Sequence, residues 1–421
     1  MIGKSGLSHP LQRFLQVFLA LWLMALFACW VGRDLLHWPP SNWYPLFRWE
    51  DRFTDFTVFQ ERFKHFHDPD FFALAGFPFT YPAPVALVYE GFYLFGSSSL
   101  NAYLCFCLIV FGVAGIFLGR AMCRRGLGVL PTVAFVGLSF LLSYPFWFLI
   151  DRGNVEIVDW LLVALGVAAY WNKKWCLAAA LFGFAISFKI FPFVFLGLLF
   201  SSRKYGAILW GILVAAATTL ASTWILGPTY QGASAGIAQG LQYFKMHYAL
   251  EVHISEIGFD HSIFAIIKAL ALHHSIVHEI NYLPWLNRYM IVVALAGIIL
   301  FFWKIRKLPR ANQILALTVA SILLPPVSAD YTLVHLYIPW AVLALLSMSI
   351  PDGQKVPGMA FSFVCFALLM APESYLAFHG IKFAGQVKAV VLLILFIVSI
   401  SYPFPEQVAE VNQRELATAP A

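Results

Sequence analysis

The sequence predicts an all-α protein, a polytopic bundle of transmembrane helices, and three observations carry the prediction. Of 421 residues, 61% are hydrophobic and only 11% are charged, far from the roughly one-quarter charged content of soluble domains. Mean hydropathy is +0.78. Apolar runs of the ~20 residues that a helix needs to cross the hydrocarbon recur from residue 14 nearly to residue 401. Lysine and arginine cluster in the short connections between those runs, the pattern of cytoplasmic loops.

In chain order, spans are expected at 14–32, 81–97, 98–120, 127–150, 154–171, 175–200, 205–226, 287–303, 312–326, 332–350, 356–371 and 385–401, or about 11 to 12 membrane segments. The first run follows Lys4 and Arg13 but is too long for a signal-peptide core and lacks a small-residue cleavage site, so it reads as a retained helix. Segments 81–97 and 175–200 contain Pro82, Pro84 and Pro192. Each is expected to be discontinuous, which is tolerated where a helix lines a cavity. Residues 1–403 read as one membrane domain and 404–421 as a polar tail.

The basic groups Arg120/Arg124/Arg125, Lys173/Lys174, Arg203/Lys204 and Lys304/Arg306/Lys307/Arg310 belong on the cytoplasmic side. Both long connections, 33–80 and 227–286, and the turns at 151–154 and 328–331 then lie outside. Four polar elements therefore converge on one face. In the first loop, Phe53, Phe56, Phe59 and Phe63 recur at helical spacing between charges, which predicts an amphipathic interfacial helix over 51–66 with Thr54 as its cap. FDHSIFAIIKALALHH in the second loop repeats the pattern with Ile263, Ile266, Ile267 and Leu270.

Several function classes drop out. The net charge of +6 sits in short connections, so it reports orientation and not a nucleic-acid surface. The six cysteines lie in or beside apolar segments without metal spacing and behave as small hydrophobes. His274 and His278 stand four apart but no HExxH accompanies them, and no Gly-rich phosphate loop is present. GIFLG at 115–119 is a packing motif that recurs by chance in apolar helices.

Candidate chemistry is confined to the outer face. Asp55, held near the headgroups by the phenylalanine stripe, suits a general base that takes a proton from an attacking hydroxyl; alternatively it is only the solvated side of that helix. In IDRGNVEIVDW, Arg152, Glu156 and Asp159 fall on one helical face. An ionisable group at the bilayer centre costs roughly 2.5–3.5 kcal/mol, so such groups usually face a polar cavity. Arg152 could grip a phosphate, and Asn154 and Glu156 could bind hydroxyls; the plain alternative is an Arg152–Glu156 pair near a helix end. Lys189 is a lone cation in SFKIFPF, three residues before Pro192, placed either to meet an anionic ligand or to snorkel. Ser328, Asp330, Tyr331 and His335 could complete a hydroxyl-binding wall or merely stop and cap a helix. Asp330, Tyr331 and His261 of the second loop complete the substrate-binding candidates.

RFTDFTVF, YPAPVALVYEGFYLFG, DRGNVE and SFKIFPF, in that order over residues 14 to about 340, resemble the signatures of the GT-C membrane glycosyltransferases. They are closest to the GT87/DUF2029 polyprenyl-phosphate-mannose-dependent mannosyltransferases and are similar, more distantly, to GPI mannosyltransferase I. The resemblance implies a GT-C bundle that transfers a sugar from a lipid-linked phosphate donor. By it, Asp55 matches the first acid of the first-loop DxD motif, Arg152, Asn154 and Glu156 the RGNxE motif, and Lys189 and Pro192 the KIYP motif. The second acid falls on Thr57, so no metal ligand is assigned; a divalent ion such as Mg²⁺ or Mn²⁺ stays open. The expected partners are a polyprenyl-phosphate sugar donor, a glycan or lipid-linked acceptor and membrane lipids, with the active site on the periplasmic or extracellular side of the inner (plasma) membrane. A polyprenyl phosphate leaves without protonation, so a single base suffices and the anomeric carbon inverts. The rival classes are a lipid-linked-oligosaccharide flippase or transporter, and an O-antigen-type polymerase or ligase.

Overall fold

The computed structural model describes residues 7–37, 52–60, 67–68, 79–252, 257–274, 280–351, 354, 356–372, 377–378, 381–382 and 384–405. These are helical apart from turns, an isolated bridge and a two-residue antiparallel pairing of Ala377–Phe378 with Ile381–Lys382. Among the described residues, six helices are long and apolar enough to cross a membrane, and a bent pair makes a seventh candidate. The protein is a multi-pass membrane protein. The runs expected to span at 81–97, 154–171, 175–200, 312–326 and 356–371 form helices shorter than 18 residues instead.

Helix α1 (His9–Asp34) starts with a proline in its first turn, where a missing N–H costs nothing. A short first-loop helix, α2 (Thr54–Gln60), precedes α3 (Ala83–Tyr93), which Pro82 caps and Pro84 opens. α4 (Ser99–Cys123) leads to α5 (Val129–Leu141) and α6 (Tyr144–Arg152), bent by 47° at the two residues between them. Pro145 cannot donate to the Leu141 carbonyl. The indole N–H of Trp147 bonds that carbonyl at 2.5 Å and that of Trp22 bonds Leu142 O at 2.7 Å, so the break leaves no orphan there.

α7 (Glu156–Trp171) and α8 (Trp175–Phe188) form an antiparallel pair. α8 ends where the sequence predicts a break: Lys189 is extended (φ −147°, ψ 145°), and a 3₁₀ turn through Pro192 follows into α9 (Leu196–Ser201). α10 (Tyr205–Leu226) crosses α8 closely, and α11 (Tyr230–Phe244) runs into a π-helical turn, Lys245–Leu250. The bundle finishes with α12 (Ile263–His273), α13 (Tyr282–Trp303), α14 (Arg310–Leu323), a 3₁₀ segment Asp330–Leu336 continuing as α15 (Tyr337–Met348), α16 (Met359–Met370) and α17 (Ala384–Ser401).

Aromatic side chains fill the centre. Phe14 of α1 stacks on Phe18 and meets Phe135, Trp340 and Phe363 at centroid distances of 5.4–6.2 Å. The closest helix crossing uses single glycines. A methyl added at Gly183 of α8 would lie 2.4 Å from the Gly211 carbonyl oxygen, and one at Gly211 of α10 would lie 2.8 Å from Ala179 O. The GIFLG glycines face α5 only at 3.4 Å from Val136 and Thr132, ordinary contact.

The two amphipathic loop segments differ from expectation in their direction. Phe56 and Phe59 are buried against protein aromatics instead of lying along an interface, and Phe63 falls outside the described residues, as does His278. In α12, Ile263, Ile266 and Ile267 are half-buried and Leu270 is exposed, and the helix turns Lys268 inward with Phe264 and Ala271.

Gly183→Val forces α8 and α10 apart, and overpacking of this kind costs about 1–3 kcal/mol. The expected result is a clear drop in thermal unfolding midpoint in detergent relative to Gly112→Ala, where nothing lies within 4 Å; equal midpoints would show that the crossing tolerates the added volume.

Candidate active site

The site begins at the DRGN turn. α6 ends at Arg152 because Gly153 takes the left-handed conformation (φ 68°), which a side chain rarely adopts. The same glycine lets α2 approach: a methyl there would sit 2.7 Å from Phe56 Cβ. Phe53 N–H donates to Asp151 O at 2.5 Å, and Arg52 lies 3.4 Å from the Asp151 carboxylate, so the first loop is docked on the turn.

That docking brings Asp55 onto the RGN residues. Arg152 Nη2 donates to Asp55 Oδ1 at 2.5 Å, and Asn154 Nδ2 to Oδ2 at 2.7 Å and to Tyr81 OH at 3.1 Å. Asn154 Oδ1 accepts the Glu156 amide at 2.9 Å, fixing the side chain at the start of α7. The sequence had placed Arg152 and Glu156 on one helix face. Gly153 interrupts that helix, so Arg152 pairs with Asp55, and Glu156 with Lys189. Beneath the carboxylate, Tyr93 OH donates to Phe56 O at 2.6 Å and Tyr103 OH to Asn154 O at 2.9 Å. These phenols bind the backbone of both segments that meet at Asp55.

Glu156 is buried and holds two partners, the Lys189 ammonium and His335 Nε2 at 2.9 Å, and His335 Nε2 is 3.5 Å from Asp159. Lys189 also lies over the Tyr331 ring at 4.8 Å. Ligand atoms of Glu156, Asp159 and His335 fall within 4.8 Å of one another, a spacing that could hold a metal ion. The donor set fits an ion network better, because the Lys189 cation is already seated on Glu156.

A second buried network centres on Asp330. Its carboxylate accepts from Tyr144 OH at 2.8 Å and Lys388 Nζ at 2.7 Å, and its Oδ1 is 3.2 Å from His261 Nδ1. His261 Nε2 is 3.0 Å from Ser328 Oγ. Both Asp330 and His261 are fully buried.

Between these networks lies a cavity of about 470 Å³. Asp55 and Arg152 line it with Tyr81 and Tyr331, and so do Asp260, Lys268, Tyr248 and Glu251. All four polar elements expected to converge contribute to its wall. Of the predicted residues, Asp55, Arg152 and Tyr331 line the cavity, Asn154, Glu156 and Lys189 stand directly behind them, and Asp330 and His261 lie inside the wall.

Tyr81, Asp260, Lys268 and Lys388 were not singled out. Lys268 and Lys388 carry the signal that marked Lys189, a lone cation in an apolar run. Asp260 stands in the turn that leads into α12, whose N-cap is Ser262, and its Oδ1 accepts the Ser262 amide at 2.9 Å.

A search of the curated proteins found no match. Residues 79–329 match the family model for Glycosyltransferase family 87, GT87, which excludes Asp55 but takes in the RGNVE turn, Lys189 and the Asp260 segment. The matched stretch is more than half of the chain, and the protein belongs to glycosyltransferase family 87.

Proposed function

We propose that this membrane glycosyltransferase moves a hexose, mannose by the family resemblance, from a polyprenyl-phosphate donor to a glycan or lipid-linked acceptor on the extracytoplasmic face of the inner (plasma) membrane. The observation that carries the reading is the Asp55 carboxylate, oriented by Arg152 and Asn154 on the wall of a 470 Å³ cavity. A carboxylate has about four acceptor sites, so both oxygens retain lone pairs for a substrate hydroxyl.

In the step itself, the acceptor oxygen forms a bond to the anomeric carbon while the bond to the phosphate oxygen breaks. The acceptor proton passes to Asp55, and the electron pair leaves with the polyprenyl phosphate. In a single inverting displacement, base and leaving group occupy opposite faces of the sugar. Arg152 is bonded to the base, so its part is to orient Asp55. The phosphate is assigned to Lys189, whose side chain is 19% exposed and lies over Tyr331 at the cavity wall.

General-base catalysis contributes about 10²–10⁴-fold. Asp55→Asn is expected to lose transfer of radiolabelled hexose by that factor while keeping donor affinity; turnover near the wild-type rate removes Asp55 from the role of base.

Lys189→Met alone leaves Glu156 buried beside His335 without its cation, and breaking such a pair costs about 3–5 kcal/mol. The double variant Glu156→Gln/Lys189→Met removes both charges. It is expected to regain most of the unfolding midpoint yet bind polyprenyl phosphate at least about tenfold more weakly than wild type, the scale of one charge-assisted hydrogen bond. Wild-type affinity in the double variant would show that the phosphate rests elsewhere.

A further inference from the structure

We propose that Asp260 is a second working carboxylate of the cavity, one that accepts hydrogen bonds from hydroxyl groups of the bound donor hexose or of the acceptor. This rests on the reading above that the cavity holds a hexosyl lipid and its acceptor.

The carboxylate is built in and held. Its Oδ1 accepts two backbone amides, Ser262 N and Ser328 N, each at 2.9 Å. Oδ2 has no hydrogen-bond partner among the described residues, although Asp260 is only 8% exposed and lines the cavity. The backbone around it is fixed on two sides. An antiparallel bridge joins Asp260 to Ala329, with His261 N donating to Ser328 O at 3.0 Å. The start of α17 closes the other side: Gly385 N donates to Gly258 O at 2.9 Å, Gln386 Nε2 to Ile257 O at 2.8 Å, and a methyl at Gly385 would meet Asp260 O at 2.4 Å. Burial raises the Asp260 carboxyl above its usual range, against the lowering effect of the Ser262 and Ser328 amides.

An acceptor oxygen on the wall of a cavity, with no protein donor of its own among the described residues, suits a ligand that brings donors. The ligand is not a second anion. Asp55, Asp151, Glu251 and Asp260 line the cavity against Arg152 and Lys268, and the Lys268 ammonium is committed to Tyr248 O at 2.7 Å and Glu251 O at 3.0 Å. A neutral polyol fits that balance. Phe148 and Phe259, with ring centroids 5.5 Å apart, add apolar surface at the same wall for the carbon face of a sugar ring.

Asp260→Asn is the discriminating change, because an amide oxygen can still accept both backbone amides while the cavity-facing atom turns from acceptor to donor. The measurement is equilibrium binding, in detergent, of polyprenyl-phosphate hexose and of polyprenyl phosphate without the sugar, together with the KM for the acceptor. If the hydroxyls belong to the donor sugar, the variant binds the hexosyl lipid about 10–100-fold more weakly, the range of a hydrogen bond to a charged group, and the bare lipid unchanged. If they belong to the acceptor, its KM rises by the same factor with both lipid affinities intact. Unchanged values in all three measurements overturn the proposal, as does an equal loss for both lipids. Wild-type protein that does not distinguish the hexosyl lipid from the bare one refutes the donor reading itself and removes the ligand assigned to Asp260, a result visible before any substitution is made.

Discussion

The contact of Asp55 with Arg152 and Asn154 is the constraint on which the architecture around the cavity depends. It joins two segments nearly a hundred residues apart, a seven-residue loop helix and the end of a broken one. A helix as short as α2 has no independent stability in water, so its position comes from what it docks on. Gly153 makes the docking possible twice over, by ending α6 in a left-handed residue and by leaving room for Phe56. Phe56 in turn is surrounded by Tyr89, Tyr93 and Tyr103, and the phenols of Tyr93 and Tyr103 bind the backbone carbonyls of Phe56 and Asn154. The carboxylate is therefore placed by an aromatic bed that fixes main chain.

Charge in an apolar bundle has to be compensated locally, and here that happens in two networks. Glu156 and Asp159 are met by Lys189 and His335, and Asp330 is met by Lys388, His261 and Tyr144. Replacing such groups with well-packed apolar residues is often neutral or stabilising, so buried pairs are weak evidence of a stabilising purpose. What they do supply is register. The first network ties α7 to the break after α8 and to the 3₁₀ segment before α15; the second ties that segment to α17, to α6 and to the second loop. Both hold Tyr331 between them, with Asp330 beside it in sequence and Lys189 over its ring.

Much of this was legible in sequence because it follows from costs that composition exposes. A membrane run with a proline in it must break, and Pro192 and the extended Lys189 bear that out. The convergence of the 151–154 and 328–331 turns with both long loops followed from the distribution of lysine and arginine alone. What stayed hidden were pairings that depend on a turn. Spacing assigned Arg152 to Glu156 because a continuous helix would align them; one left-handed glycine redirected each to a partner more than thirty residues away. The phenylalanine stripe of the first loop has the periodicity of a helix buried on one face, and periodicity does not say whether lipid or protein covers that face. For α2 the cover is the tyrosine layer. GIFLG shows the same limit, since the close glycine crossing falls on Gly183 and Gly211, which carry no motif.

The breaks in the helices are what allow polar chemistry to exist at this place. A continuous helix satisfies its own carbonyls and presents only side chains, so it can neither reverse direction within the bundle nor turn its end toward a cavity. At the α5–α6 bend, Trp147 and Trp22 take over the carbonyls of Leu141 and Leu142 that Pro145 and the bend release. α6 is thereby free to end at Arg152 against the first loop, and α8, stopped before Pro192, is free to leave Lys189 beside Glu156. Each interruption costs helix hydrogen bonds, and each is offset by side-chain donors or by the ion pair formed at the break. A glycosyltransferase site built within an apolar bundle needs fixed acids and cations, and broken helices with satisfied ends are a physical means of supplying them.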